Sequence, residues 1–63
     1  MDVRIGDKLR LDYVDRLPDQ IGLTGIVTEI NEHNYIYGTW SDIYLIPYLD
    51  EWTVIERVQS KTN

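Results

Sequence analysis

His33 is the single imidazole in this 63-residue chain, cysteine is absent, and Asp50-Glu51 is the one adjacent pair of carboxylates. These are the groups whose types could do chemistry. Nucleophilic catalysis needs a nucleophile and a base within hydrogen-bond reach, with the base held by a third group. His33 lies in Asn31-Glu32-His33-Asn34, a polar segment that reads as a hairpin loop, and no Ser or Thr can be placed beside it. Asp50-Glu51 could in principle move protons or hold a divalent cation. A hard-cation site wants several converging oxygens, and an Asp in a turn more often accepts hydrogen bonds from backbone N–H groups. Without cysteine, neither a disulfide framework nor a Cys/His zinc site can form. The sequence therefore predicts no catalytic residue, no metal and no cofactor, and the chain reads as a non-enzymatic binding module.

The aromatic residues are the stronger lead, with five Tyr, two Trp and no Phe. Exposed aromatics rimmed by carboxylates have the composition of a protein interface. Tyr13, Trp40, Tyr44 and Tyr48, with Asp50 and Glu51, form the expected partner-binding surface. An alternative face would serve nucleic acid: Tyr35 and Tyr37 for base stacking, with Arg4, Lys8, Arg10 and Arg57 for phosphates.

Charge weighs against that alternative. The net charge is −5, and it is unevenly placed. Asp12, Asp15, Asp19, Glu29, Glu32, Asp42, Asp50, Glu51 and Glu56 occupy a central stretch in which Arg16 is the lone cation. Phosphate binding depends on Lys and Arg displacing counterions, so nucleic acid is not the expected partner. A basic protein is, and a surface that imitates a row of phosphates is a variant of the same reading.

The elements that must position these residues are strands. Alternation with a period of two dominates. Lys8–Tyr13 sends Leu9, Leu11 and Tyr13 one way and Lys8, Arg10 and Asp12 the other. A loop containing Pro18 follows, then a β-branched strand over Leu23–Ile30, with Gly25 marking a bulge or close backbone approach. Further strands are expected over Tyr35–Trp40, Ile43–Ile46 and Trp52–Glu56. Pro47 ends the fourth, and Tyr48–Glu51 has room for one 3₁₀ turn before the last strand. Core positions by alternation are Leu9, Leu11, Leu23, Val27, Ile36, Trp40, Ile43, Leu45, Trp52 and Val54. Five short strands suit a small closed barrel over residues 1–56, with 57–63 as a flexible tail. So small a domain buries only about 60% of its unfolded surface, so oligomerisation through the apolar strip Ile43–Leu49 stays open. No apolar run approaches the roughly 20 residues of a membrane helix. Met1-Asp2-Val3-Arg4 does not start like a signal peptide, so the cytoplasm is the expected location.

The order of these features resembles the SH3-like barrels, in which a long loop follows the first strand and a single 3₁₀ turn precedes the last. It is also similar to a family of small bacterial and phage domains of unknown function. The residues that carry the resemblance are Gly6 with Lys8-Leu9-Arg10-Leu11, Pro18, Gly22-Leu23-Thr24-Gly25-Ile26-Val27, Trp40-Ser41-Asp42 and Leu45-Ile46-Pro47-Tyr48-Leu49-Asp50. Ser41-Asp42-Ile43 departs from the family's usual Asp-Asn-Gly. The resemblance implies an all-β, five-stranded SH3-like barrel and a phage or mobile-element setting, with a host or phage protein as partner. It transfers no catalytic residue.

Overall fold

The computed structural model describes residues 3–58, which are all-β with one 3₁₀ turn. Strands β1 (Lys8–Tyr13), β2 (Thr24–Ile30), β3 (Ile36–Gly38) and β4 (Glu51–Glu56) form one antiparallel sheet in the order β3-β2-β1-β4. In β1 the predicted alternation holds as far as Leu11, but Tyr13, expected on the same side, is 44% exposed past the register break at Asp12. Leu9 and Leu11 are fully buried while Arg10 faces solvent. β1 is central, pairing Leu9 with Gly25 on one side and with Val54 on the other.

Three breaks in register bend the sheet. Ile55 is skipped between the Lys8–Glu56 and Leu9–Val54 pairs, Asp12 between Leu11–Trp52 and Tyr13–Glu51, and Thr28 between Val27–Gly38 and Glu29–Tyr37. An extra residue in one strand increases local twist and curls the sheet over its inner face. Leu9, Leu11, Val14, Val27, Ile36, Trp40 and Leu45 fill that concavity, with Val3, Ile30, Ile43, Trp52 and Val54 packed against them. Among the described residues no helix is long and apolar enough to cross a membrane.

The structure corrects the sequence reading in several places. There are four strands rather than five, and the sheet is open, with no ladder between β3 and β4 among the described residues. The expected strand Ile43–Ile46 reduces to one bridge, Leu45 with Ile36. The cause lies in where its backbone groups go. The Trp40 indole N–H donates to the Ile43 carbonyl (3.1 Å), and the Ile43 N–H to Ser41 Oγ (3.3 Å). The Tyr44 carbonyl accepts from Arg16, and the Ile46 N–H goes to the Asp50 carboxylate (2.8 Å). Side chains that satisfy backbone groups locally compete with a sheet ladder, and here only Leu45 is left to pair.

The 3₁₀ turn is also displaced. It occupies Pro18–Gln20 in the long loop, where the proline's missing N–H costs nothing at a helix start. The segment before β4 is a tight turn instead, closed by Leu49 and Asp50 N–H groups on the Ile46 carbonyl (3.0 and 2.9 Å). Leu23, expected in the core, is 38% exposed beyond the end of the β1–β2 ladder. Val14 and Ile46 are buried, although alternation did not select them. Of the expected tail, Arg57 and Val58 are bonded to Asp7, and 59–63 lie outside the described residues.

Candidate functional site

Tyrosines cluster where the Ile36–Leu45 bridge joins the Tyr44 segment to β3. Ile36 and Leu45 exchange both backbone hydrogen bonds, at 3.0 and 2.8 Å. Positions flanking such a hydrogen-bonded pair are the closely spaced ones in an antiparallel arrangement. Ile36 and Leu45 point inward, so Tyr35, Tyr37 and Tyr44 point outward at those positions. The Tyr35 and Tyr44 rings stack with centroids 5.0 Å apart and planes 9° from parallel. Tyr37 tilts against Tyr44 at 5.4 Å, and the exposed His33 ring lies 5.6 Å from Tyr35.

The long loop reaches this cluster through Arg16. Its guanidinium carbon lies 4.6 Å from the centre of the Tyr44 ring, within cation–π range. One of its N–H groups donates to the Tyr44 carbonyl, and it stands 3.9 Å from a carboxylate oxygen of Asp50. Asp50 fixes the same junction from inside. Only 3% exposed, it accepts the N–H of Asp15 (2.9 Å) as well as that of Ile46. The loop between β1 and β2 is thereby tied to the turn before β4.

The other expected partner-site residues divide. Tyr48 is 75% exposed, and its neighbouring hydroxyl holds the Tyr35 phenol above its ordinary value. Tyr13 is exposed, and its hydroxyl donates to Asp15 at 3.0 Å. That bond, with the charges of Asp15, Asp50 and Glu51, holds the Tyr13 phenol above its ordinary value as well. Glu51 is exposed beside Tyr13 in the β1–β4 register. Trp40 is a core residue, 7% exposed, lying over Gly25 and Gly38, and Asp50 is engaged inside. Trp40 presents no surface to a partner, whereas the Asp50 carboxylate, though buried, is approached from outside by the Arg16 guanidinium.

The nucleic-acid face does not assemble as a unit. Tyr35 and Tyr37 belong to the Tyr44 cluster on the β3 side, while Lys8 and Arg10 lie on β1, with β2 between. The cations there alternate with carboxylates. Arg10 pairs with Asp12 (2.9 Å), Lys8 sits opposite Glu56, and Arg57 reaches Asp7 (3.3 Å). Exposed Arg4 donates its backbone N–H to the same Asp7 carboxylate (2.9 Å). Among the described residues no three His, Asp or Glu side chains converge as metal ligands.

Sequence reasoning passed over Arg16. The signal was present, because a lone cation in an acidic stretch marks a position where a charge has a specific partner. What the fold and site define is an all-β domain with a half-buried tyrosine cluster and an arginine seated on it. Comparison with known protein families, with curated proteins and with solved structures returns no match.

Proposed function

We propose that this chain is a non-enzymatic protein-binding module whose docking face is the cluster Tyr35, Tyr37, Tyr44 and Tyr48, extended by Tyr13 and Glu51. The observation that carries this reading is the Tyr35–Tyr44–Tyr37 stack standing outside the core beside the exposed Tyr48. Rigid aromatic rings bring large contact area at little conformational cost. The acidic central stretch selects a basic partner through complementary charge. On this reading the curled sheet is an SH3-like barrel of the small bacterial and phage type that the order of motifs resembles. Its setting is the cytoplasm of a bacterium or an infected host, where it serves as an adaptor or inhibitor of a host or phage protein.

The test is affinity capture with the intact protein and with a Tyr44→Ala, Tyr48→Ala double variant. A specific protein retained by the first and lost by the second, with unfolding transitions unchanged, is the expected result. Capture that survives both substitutions removes this face from the reading. Salt-sensitive retention of mixed DNA or RNA by the purified protein would favour the cations of β1 instead.

A further inference from the structure

The tyrosine cluster already carries a ligand supplied by the chain itself. Arg16 meets three different groups: the Tyr44 ring face at 4.6 Å, the Tyr44 carbonyl oxygen, and the buried Asp50 carboxylate at 3.9 Å. Together they make a receptor for a planar, cationic, multiply donating group. The ring takes the flat face of a guanidinium, the Tyr44 carbonyl accepts an N–H from its edge, and the Asp50 carboxylate at 3.9 Å adds charge attraction. A lysine ammonium has no plane to lay on the ring.

The backbone around Arg16 is fixed by its neighbours, Asp15 N–H on Asp50 and Leu17 N–H on the Val14 carbonyl, so only the guanidinium has to move. Arg16 belongs to a loop with no ladder of its own, and its side chain remains 37% exposed. Asp50 does not depend on it, since the Asp15 and Ile46 N–H groups satisfy the carboxylate independently. The guanidinium can therefore leave without stranding a buried charge.

We infer that the Tyr44 site is an arginine receptor, occupied by Arg16 in the free protein and by an arginine of the partner in the complex. This rests on the docking face proposed above and names the side chain that the face recognises. It makes Arg16 an internal competitor: the loop arginine covers the anchor position until a partner arginine displaces it. The acidic surroundings concentrate basic segments near the site, and the ring, carbonyl and carboxylate then select arginine among them.

The experiment is a nuclear magnetic resonance titration of the whole protein with two peptides, acetyl-Gly-Arg-Gly-amide and its lysine counterpart. The Tyr35 and Tyr44 ring protons report binding. The arginine peptide should move both rings, and the lysine peptide should bind several-fold more weakly. In Arg16→Ala the arginine peptide should bind about tenfold more tightly, the scale set by losing one competing cation–π contact. Arg16→Gln, which keeps a long polar side chain on the loop, should show the same direction if the alanine variant is poorly folded. Equal binding of the two peptides, or no gain in either Arg16 variant, overturns the inference. Suppose capture depends on Tyr44 and Tyr48 while the peptides show no arginine preference. The internal-ligand idea then falls and the docking face stands. Capture indifferent to those tyrosines removes the face itself.

Discussion

Asp7 and Val58 lie 51 positions apart in the chain and are joined by a 2.8 Å hydrogen bond from the Val58 N–H to the Asp7 carboxylate. The same carboxylate, fully buried, accepts the Arg4 N–H and faces the Arg57 guanidinium. One side chain thus fastens the segment entering β1 to the segment leaving β4. Replacing Asp7 by Ala leaves two backbone donors without their acceptor. Hydrogen bonds to a charged acceptor contribute about 1.5–3 kcal/mol each, so Asp7→Ala should lose about 3 kcal/mol in a urea unfolding curve. A loss below about 0.5 kcal/mol, the range of ordinary surface substitutions, would show that the clasp is dispensable.

Acid should unfasten the same clasp. Burial opposes ionisation of Asp7, but the Val58 and Arg4 N–H groups and the Arg57 and Arg4 charges outweigh it, holding the carboxyl below its ordinary 3.8. Asp12 is held below 3.8 too, by the Thr53 hydroxyl first and then by Arg10. A carboxyl whose folded value is depressed adds stability that is complete above the unfolded value and is lost as pH falls toward the folded one. The urea midpoint should be level near neutrality and decline below about pH 4. The decline should be shallower in Asp7→Asn, and an identical pH profile in that variant would remove Asp7 as its source.

Two glycines separate packing from backbone strain. A Cβ on Gly38 would stand 2.2 Å from a ring carbon of Trp40, so the indole lies on the space that glycine leaves. Gly22 has φ +92° and open space around its Cβ position. Gly38→Ala must push the indole off its bed, a loss of about 1–3 kcal/mol for overpacking. Gly22→Ala meets only the left-handed backbone cost of about 1–2 kcal/mol. Tryptophan fluorescence distinguishes them: a red shift is expected for Gly38→Ala and none for Gly22→Ala. A shift of equal size in both would mean that Trp40 does not depend on Gly38.

Two of the tyrosines should ionise late. The neighbouring Tyr48 hydroxyl raises Tyr35 above the ordinary 10.0, and the hydrogen bond to Asp15 raises Tyr13. Ultraviolet titration of Tyr48→Phe should show the Tyr35 phenol ionising at lower pH than in the parent. Asp15→Asn should do the same for Tyr13. An unchanged titration curve in either variant removes the corresponding interaction from solution.

Much of this was legible in local pattern. Leu9 and Leu11 with Arg10 between them announced β1, and Asn31 and Asn34 announced the turn before β3. Asn34 adopts φ 66°, while Asn31 Oδ1 accepts the N–H groups of His33 and Tyr35 at 2.8 and 3.0 Å. Gly25 was read as a close backbone approach, and Trp40 provides it. Tyr35, Tyr37 and Tyr44, assigned from the sequence to two different faces, stand in one cluster. Ile43–Ile46 shows why the rest was hidden. Its alternation suits a strand, but Trp40, Ser41, Arg16 and Asp50 take its backbone groups.

By itself, the sequence determined what depends on nearest neighbours: an all-β chain, its main turns, most of its core, and a chain without cysteine. Tertiary structure alone decided which carboxylates are structural and which arginine is special. Asp7 and Asp50 look like any turn aspartates in one dimension, yet each is buried because its acceptors meet N–H groups from distant segments. Arg16 reads as a loop cation until the Ile36–Leu45 bridge brings Tyr44 beneath it. Period and propensity act along the chain, whereas burial and charge pairing act across it, so these assignments had to wait for the fold.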